Sequence, residues 1–410
     1  MGRTSLLMVV GFSTIFALMG FNLSHVAGEG VKNFTIYNTA TQAHNIASSA
    51  ANVACNQIFF TPNWRDGYNN VSFAGGKYFV QVRDLPNRRI QVTARADYSG
   101  PNDRTGEYED KQSIITVVMQ PSSFSKFAYY SEVEGSIYWI TGDTVWGPFH
   151  TQEKLSVSGN PVFYGKVTAR KGLSKKTKTS KPEFYGGFAS GVSVSLPATM
   201  TPMTDAAKDD GHYTDGIDVY LTFNADGTVT YQEGSDPAQT VSLESYAPNG
   251  VICVDNGNLH IQGTVSGNVT VSALGSSGLG KGNVYLDDDI VYSTDPNDPN
   301  CTDMLGIVSD NNVVITNNAA NNDDININAS IFCRKGGFGA EDYNTRPIAG
   351  SINLVGGIQQ YQRAAVGTFG SSGTINHGFQ KNYRYDNRLM TDLPPFYPTT
   401  GSYEIVSWYE

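Results

Sequence analysis

The sequence predicts a mainly β protein: one long N-terminal α-helix, a small strand-rich head, and a body resembling a right-handed parallel β-helix with a hairpin insertion. Three observations predict it. The chain opens on an apolar run, LLMVVGFSTIFALMGF at 6–21, with no Asp, Glu, Lys or Arg between Arg3 and Glu29. Beyond residue 136, short apolar runs are cut every few residues by Gly, Asn or Asp, residues that tolerate positive φ and end strands. Gly supplies 43 of the 410 residues and only 16% are charged, which disfavours an ordinary helical enzyme.

The apolar run comes first. Leu6, Leu7, Val9, Val10, Phe12, Ile15, Phe16, Leu18 and Phe21 make a stretch that, extended through Ala27, is long enough to span a bilayer. A retained anchor competes with a cleaved secretory signal and with a buried core helix. The best signal-cleavage site, after Ala27, places His25 where a small residue is expected. Past the run, Ile36, Ala40, Ala43, Ala47, Ala50, Ala54 and Ile58 recur at steps of three and four, one face of a helix. No proline precedes Pro62, so residues 1–60 read as a single helix, half of it in lipid and half packed on a globular part. Arg3 on the cytoplasmic side sets the orientation, with the remainder translocated.

A very short leader, a glycine, an apolar stretch and then an amphipathic half resemble the N-terminal helix of type IV pilin-like proteins, the PilX-type minor pilins in particular. The resemblance implies cleavage by a prepilin peptidase after Gly2, with Arg3 as the new first residue. It also implies other pilin-like helices as partners beside membrane lipid. The fifth residue counted from Arg3 is Leu7, where major pilins carry Glu.

Residues 61–135 read as the head. Val71, Phe73, Tyr78, Val80, Val82, Ile90, Val92 and Ala94 alternate, Asp84-Leu85-Pro86-Asn87 is turn chemistry for a hairpin, and Ile114 to Met119 is a short apolar strand. Residues 136–392 read as the body. Its strands of four to six residues suit stacked coils better than a wide sandwich face, although a β-sandwich is the alternative. Two insertions interrupt it. Residues 212–250 hold a hairpin, with alternation at Ile217, Val219, Leu221 and Phe223 and a turn at Asn224-Ala225-Asp226-Gly227. Residues 166–181 carry seven basic side chains and no acid. They read as a solvated flexible loop, or as a patch that holds surface polysaccharide or DNA through Lys171, Lys175, Lys176 and Lys178. The aromatic segment 393–410 reads as a terminal cap on the body.

Five stretches resemble a bacterial surface-protein family of unassigned activity with pilin-like N termini: SSFSKFAYYSE (122–132), ITGDTVWGPFHTQEKLSVSGNPVFYGKVT (140–168), DDDIVYSTDP (287–296) with MLGIVSDNNVVI (304–315), and LPPFYPTTGSYEIVSWYE (393–410). That resemblance implies a surface role in the cell envelope and brings no catalytic residues.

Site chemistry is sparse. A net charge of −10 (28 basic against 38 acidic residues) argues against nucleic acid as the main partner. Asp287 and Asp289, two residues apart on one strand face, with Asp295, Asp298 and Asp303 in the loop beyond, read as turn residues, as candidate calcium ligands, or as a carboxylate pair for glycoside hydrolysis. The six histidines are scattered, and His150 reads as a buried, hydrogen-bonded residue at a coil corner. Neither a nucleophile elbow nor a zincin or phosphate-loop motif is present, and nothing asks for a nucleotide or redox cofactor. Four cysteines without C-x-x-C spacing argue against a structural zinc site, and Cys301 with Cys333 is the disulfide candidate. The function these features favour is a membrane-anchored, outward-facing, pilin-like structural protein whose body serves adhesion or interaction. Its rivals are an anchored β-helix polysaccharide-processing enzyme and a polymer of the bactofilin kind.

Overall fold

The computed structural model describes residues 2–86, 88–101, 108–370 and 374–410. It is mainly β, with one long N-terminal apolar helix. Met1 and Asn87, which belong to the expected leader and hairpin turn, lie outside the described residues. The chain divides into two compact units, Met1–Pro121 with Ser402–Glu410, and Ser122–Gly401.

In the first unit the helix runs unbroken from Gly2 to Phe60, 59 residues or roughly 90 Å at 1.5 Å per residue. Its halves differ in surroundings. From Leu6 to Val26 the large apolar side chains are exposed, Leu18 at 65% and Phe21 at 71%. From Thr35 onward one face is buried: Ala43, Ile46, Ala47, Ala50, Ala51, Ala54 and Ile58 are at most 1% exposed. The expected stripe slips at its start, since Ile36 is only half-buried and Ala40 is exposed, while Thr35 and Thr39 take the buried positions. Each of these threonines donates its hydroxyl to the carbonyl four residues back, so neither hydroxyl is left unpaired by the packing.

That face lies on an antiparallel sheet of Tyr68–Phe73, Gly76–Leu85, Arg89–Pro101 and Tyr108–Ser123, through Ile90, Val92, Ala94, Ala96, Ile115, Val117 and Met119. Small residues on both sides set the spacing. A Cβ at Gly100 would meet the Thr39 hydroxyl, and one at Gly76 would meet Ile46 Cδ1 at 2.8 Å. The sheet has a fifth strand, Thr399–Tyr409, beside Tyr108–Ser123. This corrects the expected terminal cap: the last nine residues belong to the head, where Tyr403 and Trp408 pack against its core. Only the Pro-rich part before them caps the body, where Tyr397 is buried.

The second unit is built on parallel pairing. One ladder of ten strands can be followed through successive registers: Phe188–Ser190, Val167–Ala169, Phe149–Thr151, Tyr129–Val133, the second half of Ile348–Gln362, Ile325–Cys333, Met304–Ser309, Asn268–Leu274, Val251–Asp255 and His212–Asp215. Register places Val167, Phe149, Tyr129, Ile358, Ile331, Ile307, Val271 and Ile252 in one column, all of them buried. A second ladder stacks Val219, Leu259, Val284, Val313 and Phe338, and a third stacks Ile290, Ile327, Leu354 and Tyr383. Columns of like side chains from successive strands make the core.

Three expected boundaries move. Tyr129–Val133, assigned to the head within 61–135, is a strand of the long ladder, because its Tyr129 fills the apolar column. Residues 166–181 are not a free loop: Val167–Ala169 and Leu173–Lys175 pair with neighbours on the ladders. Within 212–250, Val219–Phe223 and Thr228–Glu233 form the expected hairpin, extended by Gln239–Ser242, but Val219–Phe223 is also a parallel partner of Leu259–Val265. Its buried Val219, Leu221 and Phe223 are therefore part of the core, and Ile217 lies outside the strand.

Candidate functional site

The five predicted carboxylates are not brought together. Asp287 is 2.8 Å from His260 Nδ1, and that imidazole is stacked between Tyr220 and Tyr285. Asp289 accepts the Asn326 backbone N–H at 2.7 Å and its side-chain amide at 2.9 Å. Asp295 and Asp298 each cap the residue two positions on, Asn297 and Asn300, which is turn chemistry. Asp303, 5% exposed, joins loops by accepting from Gly267 N, Ser293 Oγ and Thr294 N. Burial opposes its ionisation, yet these donors hold its carboxyl below the usual range. Every carboxylate has separate local partners, and among the described residues no three Asp, Glu, His or Cys side chains form a metal-sized group.

The basic side chains at 166, 170, 171, 175, 176, 178 and 181 are all exposed on ordered strands and turns. Lys171 reaches Glu153 at 2.7 Å and Lys176 lies 5.1 Å over the Tyr138 ring, while Lys175 and Lys178 point to solvent. The four cysteines are all free and buried, so the expected Cys301–Cys333 bond is not formed. Cys301 lies against the Thr294 carbonyl, and Cys333 is inside the ladder. Burial pushes the Cys333 thiol up to about 12. His150 is fully buried with Nδ1 2.7 Å from the Thr168 hydroxyl, and burial lowers its pKa to about 4.

Two features remain with unsatisfied physical demands. The first is the apolar half of the N-terminal helix, which contains an 18-residue window of mean hydropathy 2.0 with none of it buried. It is long and apolar enough to cross a membrane, and so is a candidate anchor or signal sequence.

The second is a cleft of about 170 Å³ in the second unit. Lys381 stands in register with Ile352, and Ile352 with Ile325, both buried core residues, so the column that holds two isoleucines continues into an ammonium group. There the column opens and the Lys381 side chain is exposed, although protein atoms crowd around it. Crowding, together with repulsion from Arg363, pulls its pKa down to about 8. Arg363 lines the same cleft, its side chain 8% exposed, with the guanidinium 4.4 Å over the Trp139 ring and 3.6 Å from Glu134. That separation is too long for a hydrogen bond. Arg363 Nη1, Glu134 Oε2 and Trp139 Nε1 are buried without hydrogen-bond partners.

Sequence reading missed this cleft. Its trace was the alternation Phe379, Lys381, Tyr383, which puts a lysine on the face that elsewhere is apolar.

Comparison with protein-family models, curated proteins and solved structures returns no match for the chain.

Proposed function

We propose that this chain is a membrane-anchored, outward-facing structural protein of the pilin-like type. The first half of the helix sits in the bilayer or in the helical core of a filament, with Arg3 on the cytoplasmic side. The body is a parallel β-helix-like stack displayed for adhesion or interaction. The observation that carries this reading is the contrast within one helix. Its second half is sealed onto a sheet through alanines, while its first half exposes Leu, Phe, Val and Ile along nearly its whole length. Exposing the thirteen large apolar residues between Leu6 and Val26 to water is a cost that hydrocarbon or a neighbouring helix removes. Support for the stacked body comes from the nine successive parallel registers and their shared apolar column.

The test is fractionation of cells expressing the full chain, followed by mass spectrometry of its N terminus. The reading expects the protein in membranes or fibres after alkaline washing, starting at Met1 as a plain anchor or at Arg3 after pilin-type processing. A chain beginning near Gly28 and free in the aqueous fraction would overturn it.

A further inference from the structure

The parallel stack of the second unit has two ends, and the chain finishes them differently. At one end stands the last coil, Leu173–Lys175, Glu183–Phe184 and Phe188–Ser190, each strand paired on one side. Leu173, Phe184 and Phe188 are only half-buried there, packed on the core beneath them. At the other end the ladder beginning with Val219–Phe223 is extended by Thr228–Glu233 and then Gln239–Ser242, and Leu243 and Tyr246 close the core.

Both ends present a strand edge on the same side of the stack. The chain passes from Val167–Ala169 of the long ladder to Leu173–Lys175 just as it passes from His212–Asp215 to Val219–Phe223. Two antiparallel steps return Gln239–Ser242 to the direction of Val219–Phe223, which is that of the parallel ladder. Gly172 accepts from Leu155 and Lys176 donates to Val157, so alternation turns the backbone groups of Leu173 and Lys175 outward. Leu243 donates to Gly227, which in the same way turns those of Thr240 and Ser242 outward.

Charge decides which partner fits. Residues 166–181 carry seven basic side chains and no acid, whereas residues 201–250 carry nine acidic side chains against Lys208. Lys171 is engaged by Glu153, Asp218 by Lys281 and Glu233 by His212. Exposed Lys175 and Lys178 beside one edge, and exposed Asp236 and Glu244 beside the other, form no ion pair among the described residues. Two open ends set face to face would bring basic against basic. Within one copy the opposite charges cannot meet, because nine ladder steps of about 4.8 Å, roughly 43 Å, separate the ends.

We propose that copies of this chain stack end to end, the edge of Leu173–Lys175 adding in parallel to the edge of Gln239–Ser242 on the next copy. Lys175 and Lys178 then meet Asp236 and Glu244. Strand addition supplies main-chain hydrogen bonds, and the charges fix which ends join. The contact is heterologous, so each added copy leaves one free edge of each kind. It uses no residue of the N-terminal helix and stands apart from anchoring.

The experiment is sedimentation velocity of the detergent-solubilised full chain. At about 50 mM salt the mean protein mass is expected to reach at least about twice the monomer, and to return to the monomer at about 500 mM. Association through the helix would survive the salt. Lys175→Glu with Lys178→Glu should stay monomeric, and so should Asp236→Lys with Glu244→Lys. An equimolar mixture of the two double variants should associate again, since each then offers the end the other lacks. Thr240→Pro removes an outward N–H while sparing the hairpin, and should also stay monomeric; if it fails to fold, the mixture carries the test. A wild-type chain that is monomeric at low salt overturns the proposal, even if added polyphosphate binds its basic end. So does association that survives high salt or either double variant, or a mixture that stays monomeric.

Discussion

Gly356 runs so close to Ala329 that a Cβ built on it would stand 1.7 Å from the Ala329 carbonyl oxygen. The two residues are register partners on the longest parallel pair of the body, at the point where both strands pass from one column to another. Ile352 and Leu354 precede the corner and Ile358 follows it, all three buried. Only a residue without a side chain permits that approach.

Gly356→Ala should therefore destabilise the body by about 3 kcal/mol or more, because its clash is with backbone and no rotamer relieves it. Denaturant unfolding measures the loss. Gly278→Ala, whose nearest neighbour would be 3.7 Å away, should stay within about 0.5 kcal/mol of wild type.

Ala50 is fully buried between the helix and the head sheet, whereas Leu18 on the same helix is 65% exposed. Ala50→Leu is expected to cost the head about 1–3 kcal/mol through overpacking. Leu18→Ala should leave its melting unchanged, since that side chain is largely exposed and stands outside the head core. Thermal unfolding in detergent compares the two.

His150 makes stability depend on acid. Its folded pKa, near 4, lies below the ordinary 6.5 because burial disfavours the imidazolium. As pH falls the unfolded chain takes the proton first, so stability is full above about 6.5 and is lost progressively towards about 4. The loss amounts to at most about 3 kcal/mol, at ~1.4 kcal/mol per unit. His150→Gln should flatten that part of the pH profile, whatever it costs at neutral pH.

The cysteines give a chemical check. All four thiols are buried and free, and burial raises those of Cys55 and Cys253 to about 11. A thiol reagent such as dithionitrobenzoate should find none reactive in the native protein and four after denaturation without reductant. Finding only two after denaturation would mean that one pair is bonded, with Cys301 and Cys333 the first pair to map.

The elements legible in the sequence were those with a local signature. The helix showed itself through an uncharged run followed by alanines at steps of three and four, and the hairpin through Asp226-Gly227 between alternating strands. What escaped depends on pairing between distant residues. Nothing local in Tyr129–Val133 says that it pairs with residues over two hundred positions later, and nothing in Thr399–Tyr409 says that it joins the head. The basic run at 166–181 looked like a loop because lysines dominate it. Yet Val167 and Ala169 alternate inward, and two buried residues were enough to make it a strand. The carboxylates misled in the opposite way, since proximity in sequence did not bring Asp287, Asp295 and Asp303 to one place. Lys381 was invisible until register set it above Ile352.

The order of strands in the long ladder bears on biosynthesis. The chain lays down Tyr129–Val133, Phe149–Thr151, Val167–Ala169 and Phe188–Ser190 as one contiguous block. It then starts afresh at the far end, with His212–Asp215, and works back until Ile348–Gln362 meets Tyr129–Val133. While residues 190 to 350 are still being made, the open edge of Tyr129–Val133 has no native partner. Joining the two blocks is a long-range closure that waits for nearly the whole polypeptide to leave the ribosome. A chain cut short before residue 358 would expose that edge to pairing with another copy of itself.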